Sequence, residues 1–222
     1  LDWIALDLSL RLALWTCALL IPLGLLIARL LAWGRFRGRA LCEAAVTLPL
    51  VLPPTVLGFY LLVAFGIQSP LGRLWHALTG GSLAFSFSGL LLATLVFNLP
   101  FAVQPLQRAF ETIPRKIREA AWCSGLSSWQ TFWRVELPLA WPGLVYALTL
   151  VFVHTLGEFG VVLMVGGNIS GETRTLSIAI YDSVQAFDAA GANKMSALLL
   201  AIAFLAISLV NLLAPARARH DD

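Results

Sequence analysis

Two residues that can carry a proton stand four apart in an apolar stretch, His154 and Glu158. On a helix that spacing puts both on one face. Placed so, an imidazole and a carboxylate could relay protons, form a gate, or serve as structural partners, Glu158 to His154 or to Asn98 on a neighbouring span. An ionisable group at membrane depth is costly and normally faces protein or water. A carboxylate would also repel an anionic cargo, which favours a structural or gating role for Glu158 over direct cargo contact. A second pattern, GGNISGET at residues 166–173, has the glycine spacing of a phosphate loop. Glu172 stands where that loop requires lysine, and its charge would repel phosphate. The stretch is expected to be a turn, and any ATP hydrolysis to belong to a partner. Cys17, Cys42 and Cys123 lack metal or redox spacing, and only three histidines are present, so no metal site is expected. With no nucleophile elbow and no paired intramembrane carboxylates, no catalytic residues are assigned, and no cofactor is expected on this chain.

The elements that position these residues are mostly apolar spans. The 222 residues are 59% hydrophobic and 12% charged, against about 25% charged in a soluble domain. The net charge of +3 comes from short basic blocks beside apolar runs. That is the pattern of cytoplasmic loops, and it gives no reason to expect nucleic acid. Apolar runs at residues 8–31, 44–66, 83–103, 143–165 and 194–213 approach the roughly 20 residues a helix needs to cross a bilayer. The expected fold is an all-α membrane protein, one transmembrane domain over residues 1–222 with about five transmembrane helices. No signal-peptide pattern is evident.

The second run holds Pro49, Pro53, Pro54, Gly58 and Gly66, so it should be broken or kinked, its freed carbonyls meeting protein or a wet cavity. Pro53, Pro54 and Thr55 are therefore candidates for a pathway or gate, with a passive kink as the alternative. Further polar candidates are Ser86, Ser88, Thr94, Asn98, Thr149 and Thr155; hydroxyls and amides suit an oxyanion but also ordinary helix contacts. In residues 165–192, Leu176, Ile180, Val184 and Phe187 recur at helical spacing, as in an amphipathic helix lying against the outer mouth. Arg29, Arg35, Arg37, Arg39, Arg108, Arg115, Lys116, Arg118, Arg134, Arg217 and Arg219 fall on one side, and Arg11, Arg73, Arg174 and Lys194 on the other. This bias puts the amino end outside and the carboxyl end inside.

Between the third and fourth runs lies a charged segment, residues 107–142, containing EAAWCSGLSSWQTFWRVELP. Gly125 can end a first short helix in the left-handed conformation. Ser127 with Gln130 three residues on reads as a capping box that starts a second. Pro138, without an amide donor, should end or bend that second helix. A helical hairpin of this composition belongs outside the membrane, where another molecule can touch it. Glu119 could form a surface pair with Arg115 or contact a partner. Trp122, Trp129, Phe132 and Trp133 offer apolar surface to a partner or to the membrane.

This arrangement resembles the EAA signature of bacterial ABC-importer permeases. Glu119, Ala120 and Ala121 are followed by Gly125, and then, after nine intervening residues, by Val135, Glu136, Leu137 and Pro138. Residues 9–213 resemble the molybdate-type permeases of that class, in TLPLVLPPTVLGFYLL and LGEFGVVLMVGGNISGETRTLSIAIY. Ser170 and Glu172 depart from the proline and basic residue common there. The resemblance implies that the hairpin is a cytoplasmic coupling helix and that the permease is a homodimer in the bacterial cytoplasmic membrane, surrounded by lipid. Two copies of a separate ATPase would carry ATP and Mg, and an extracytoplasmic oxyanion-binding protein would deliver the cargo. Sulfate, thiosulfate and tungstate are alternative cargoes, and a proton-coupled secondary transporter is the more distant rival.

Overall fold

The computed structural model describes residues 1–213. Arg217 and Arg219, expected on the inner side, lie outside the described residues. Helix α1 (Trp3–Trp33) starts at Asp2, whose carboxylate accepts from the Ala5 amide at 3.0 Å. It is followed by α2 (Arg39–Val51), α3 (Pro54–Phe65), α4 (Pro70–Thr79) and α5 (Phe87–Glu111). Next come α6 (Arg115–Cys123), α7 (Ser128–Thr131), a π turn (Phe132–Glu136) and α8 (Leu137–Gly157). The remaining helices are α9 (Gly160–Gly166), α10 (Leu176–Gln185) and α11 (Ala189–Leu213). Among the described residues there is no strand. Four helical stretches are long and apolar enough to cross a membrane: Trp3–Trp33, Phe87–Glu111, Ser128–Gly157 and Ala189–Val210. The bent pair α2–α3 makes a fifth if counted as one crossing.

The core is built where α1, α5 and α8 meet. Leu20, Ala28 and Leu31 pack with Ala102, Leu106 and Phe110 and with Ala140, Ala147 and Val151. Small residues let these backbones approach, as membrane helix contacts require. A side chain added at Gly24 would stand 3.1 Å from the Ala102 Cβ. The Thr16 and Thr94 hydroxyls meet at 3.1 Å in the same layer. A second cluster joins α3 and α9 to α5 through Leu57, Phe65, Val161, Val165 and Phe97.

Several elements differ from the sequence expectation. The second run is two helices meeting at 112°, more an elbow than a kink. Leu52 and Pro53 each precede a proline, which disfavours the helical region, and both are extended, with ψ of 137° and 135°. Pro54 then opens α3, where its missing donor costs nothing. Helix α5 starts at Phe87 and continues through Pro100 and Pro105 to Glu111, beyond the expected end near Val103. Residues 143–165 are not one helix but break between α8 and α9. The expected outer loop contains α4, opened by Ser69 and Pro70 and closed by left-handed Gly80.

Helix α10 exists, but its predicted apolar stripe is only half right. Leu176, Ile178 and Ala179 are buried, and Leu176 and Ala179 pack against Ala5 and Met195. Val184 is exposed, and Phe187 lies beyond the helix end with 95% of its surface free. The burial direction is fixed by the amino end of α10, wedged between α1 and α11. There the Ser9 hydroxyl accepts from the Leu176 amide at 2.8 Å. After Gly166 closes α9, residues 167–173 form the expected turn, with positive φ at Gly167 and Gly171.

Candidate functional site

The hairpin at α6–α7 is assembled by local chemistry. Gly125 has φ +83°. Its amide donates to the Trp122 carbonyl at 2.9 Å, and the Leu126 amide donates to Ala121 at 3.1 Å. These two bonds are the glycine-terminated helix end known as a Schellman motif. Two residues on, the Ser127 hydroxyl accepts from the Gln130 amide at 3.2 Å, and the Gln130 side chain accepts from the Ser127 amide at 3.0 Å. The reciprocal cap is present as the spacing predicts.

Pro138 behaves otherwise than expected. It does not end the helix, since Ser128–Gly157 runs on as one span. The preceding residues wind as a π turn, and the Leu137 amide reaches back to Phe132. Proline has no hydrogen to give the carbonyl four residues behind it, and local π geometry is one way a membrane helix re-satisfies freed groups.

Glu119 pairs with Arg115 at 2.7 Å, and both side chains are substantially exposed. Such a pair contributes about 0.3–0.5 kcal/mol and leaves the Glu119 carboxylate accessible. Ala120 is exposed and Ala121 is buried. Trp129 and Trp133 stand exposed beside buried Phe132, with ring centroids of the two tryptophans 5.5 Å apart. The tip of the hairpin therefore presents an apolar and charged surface that nothing among the described residues covers.

Glu136 was not singled out by the sequence reading. It fills the variable position before Leu137, yet its side chain is fully buried. Its carboxylate accepts from Arg29 Nε at 2.7 Å and from Arg118 Nε at 3.0 Å. The Arg118 guanidinium also lies 3.5 Å from the ring centre of Trp33. The sequence carries no local signal for it, since Glu111 and Glu119 stand among the same basic residues.

The candidate pathway residues fall into two groups. Pro53, Pro54 and Thr55 form the exposed elbow between α2 and α3. It meets the α8–α9 break, because a side chain added at Gly160 would stand 2.8 Å from Pro54 Cβ. Glu158 sits in that break with an extended backbone, so it does not share a helical face with His154. Its carboxylate instead accepts from the Val161 amide at 2.8 Å and caps α9, while its carbonyl accepts from the Ser177 hydroxyl at 2.6 Å. Asn98 and His154 form the other group. They pair with each other at 3.1 Å between α5 and α8, the imidazole lying against Phe97 and Phe101.

Most remaining polar candidates serve their own helices. Thr94, Thr149 and Thr155 donate to carbonyls at Leu91, Val145 and Val151, and Ser86 caps α5. A cleft of about 470 Å³ opens between α2, α5 and α8, lined by Leu50, Pro100, Phe101, Gln104, Arg108 and Tyr146. The Gln104 amide and Arg108 guanidinium are donors of the kind an oxyanion accepts.

The family described as binding-protein-dependent transport system inner membrane component matches residues 20–219. The chain is 47% identical over 206 residues to the molybdenum transport system permease protein ModB of Azotobacter vinelandii, covering 93% of this chain and 91% of that one. It is 37% identical over 188 residues to a probable sulfate transport system permease protein cysT of Chlorella vulgaris, covering 85% and 70%. Its fold is similar to that of a bacterial ABC transporter involved in the import of the acidic polysaccharide alginate. That likeness has a TM-score of 0.77 at 15% identity, over 97% of this chain and 79% of that one.

Proposed function

Because this chain belongs to the family of binding-protein-dependent transport system inner membrane components, we propose that it moves an oxyanion, molybdate before others, across the cytoplasmic membrane by alternating access. It is a multi-pass inner membrane transport subunit rather than an enzyme. The observation that carries the cargo is its 47% identity, nearly end to end, to a molybdenum permease. The sulfate permeases, at 38% identity and below, support sulfate as the second reading.

In this reading two copies of the chain face each other, with the amino end outside and the carboxyl end inside. The hairpin carrying Glu119, Ala120, Ala121, Gly125, Leu137 and Pro138 docks on a cytoplasmic ATPase that binds ATP and Mg. An extracytoplasmic binding protein supplies the oxyanion at the opposite mouth. Nucleotide can shift the inward and outward states only through its different affinity for them, so the hairpin must report that difference to the spans. The elbow at Pro53, Pro54 and Thr55, meeting the break at Glu158, is the gate in this reading. Two discontinuous segments packed together are where irregular backbone is tolerated at membrane depth. Asn98 and His154 tie α5 to α8 beside it. The cleft with Gln104 and Arg108 suits the inner route, since a few donors without a tight cage allow release.

The test is uptake of radiolabelled molybdate into vesicles holding this chain, its co-purifying ATPase and the binding protein. Uptake should require ATP on the ATPase side and resist excess sulfate. Accumulation by the chain alone, driven by a proton gradient, would overturn the reading; equal competition by sulfate would move the cargo to the second one.

A further inference from the structure

The buried carboxylate of Glu136 joins three elements far apart in the chain. Arg29 lies near the inner end of α1, 107 residues before Glu136, and Arg118 lies on α6. Arg29 donates twice to the carboxylate, through Nε at 2.7 Å and Nη2 at 3.4 Å, and its Nη2 also reaches the Ser128 carbonyl of α7 at 3.5 Å. Arg118 donates to the same carboxylate through Nε at 3.0 Å and stacks on Trp33, the last residue of α1. Phe132 lies 5.5 Å from the Arg29 guanidinium. Two guanidiniums thus share one buried acid, and aromatic rings of α1 and the π turn enclose them.

Movement of the hairpin away from α1 would part Glu136 from Arg29 and Arg118 from the Trp33 ring, leaving the Arg29 guanidinium without its acid. A buried charge left uncompensated is far more costly than an exposed one. Small relative displacements are therefore resisted, and displacement of the hairpin must carry the inner end of α1 with it. The EAA-type motif itself fixes none of these contacts: Arg29 and Arg118 lie outside it, and Glu136 occupies a position it leaves open.

We propose that Glu136 is a positioning residue that straps the hairpin to α1 through Arg29 and Arg118, so that displacement at the ATPase contact becomes displacement of the first membrane helix. The inference rests on the reading of the hairpin as the ATPase contact. It adds α1, which carries no part of the motif, to the set of directly driven helices.

The experiment uses the assembled importer in vesicles, with molybdate as the probe. Spin labels are placed on native Cys123 and on Leu30→Cys, in a Cys42→Ser background, with labelled chain diluted in unlabelled chain. Adding ATP should change their separation by no more than about 2 Å, and a change above about 5 Å, one helical turn, overturns the strap whether or not any further variant folds. Glu136→Gln should keep the ATPase bound yet lower molybdate moved per ATP hydrolysed at least about fivefold, the lower end of typical coupling. An unchanged ratio in Glu136→Gln overturns the proposal. Failure of the unaltered chain to retain any ATPase is a different result, because it removes the hairpin reading itself.

Discussion

Gly125 offers a perturbation whose size can be worked from geometry alone. A Cβ at this position meets nothing within 4 Å, so adding a Cβ there is not opposed by a clash. Only the backbone resists, because φ is +83°. An L side chain in the left-handed region costs roughly 1–2 kcal/mol, with alanine at the lower end and valine at the upper. Asparagine is enriched in that region and should cost least. At about 1.4 kcal/mol per tenfold change, the population of the closed turn falls about fivefold for Gly125→Ala and about 30-fold for Gly125→Val. The bonds to Trp122 and Ala121 are lost with it, and the angle between α6 and α7 is freed. The spans do not depend on this turn, so the amount of membrane-inserted chain should be unchanged. ATP-driven molybdate uptake in vesicles should rank glycine, asparagine, alanine, valine in descending order. If Gly125→Val transports like the unaltered chain, or Gly125→Asn is as damaged as Gly125→Val, the conformational reasoning is wrong.

Three further outcomes are expected. Gly58→Leu should lower the melting midpoint of the solubilised protein, since even its Cβ would stand 2.8 Å from Met164 Cβ and 3.2 Å from Val161 Cα; overpacking of this kind costs about 1–3 kcal/mol, and an unchanged midpoint would refute the α3–α9 contact. Glu158→Gln keeps an oxygen for the Val161 amide, so assembly and uptake should stay within about twofold, whereas Glu158→Leu removes a cap of about 1 kcal/mol. Equal loss in both variants would make the charge, not the cap, the important property. Cys42 and Cys123 are exposed and Cys17 is buried, so a membrane-impermeant maleimide should modify the first two only in inside-out vesicles. Labelling from the outer face would reverse the proposed orientation.

What could be read from the sequence was whatever depends on near neighbours. Gly125 and the Ser127–Gln130 pair announce their turn and cap because each acts within three or four positions. Pro53 and Pro54 announced a break but not its 112° angle, which follows from two consecutive extended residues finding α9 to pack against. The His154–Glu158 spacing misled because it assumes an unbroken helix. Gly157 begins a break, and Glu158 turns to the amides beyond it. Val184 and Phe187 misled for a related reason, since helical spacing cannot say which neighbour sets the buried direction. Helix α4 was signalled by Ser69, Pro70 and Gly80, but its mixed composition hid it among apolar runs. Glu136 was invisible because neither partner belongs to the motif that makes its neighbourhood recognisable, and Arg29 is 107 residues away from it in the chain.

The π turn at Phe132–Glu136 amounts to one surplus residue wound into an otherwise regular rod. At 3.6 residues per turn, one residue is about 100° of rotation. The tip bearing Trp129 is thereby dialled to a different azimuth from the one a plain helix would give it, with Phe132 and Glu136 aimed inward and Trp133 outward. Removing any single amino acid from this short stretch would let the coil relax and spin the tip off its bearing without shortening the membrane crossing. A deletion here is thus a misalignment rather than a truncation, and relatives that differ in length at this point would have to re-aim their tips by other means.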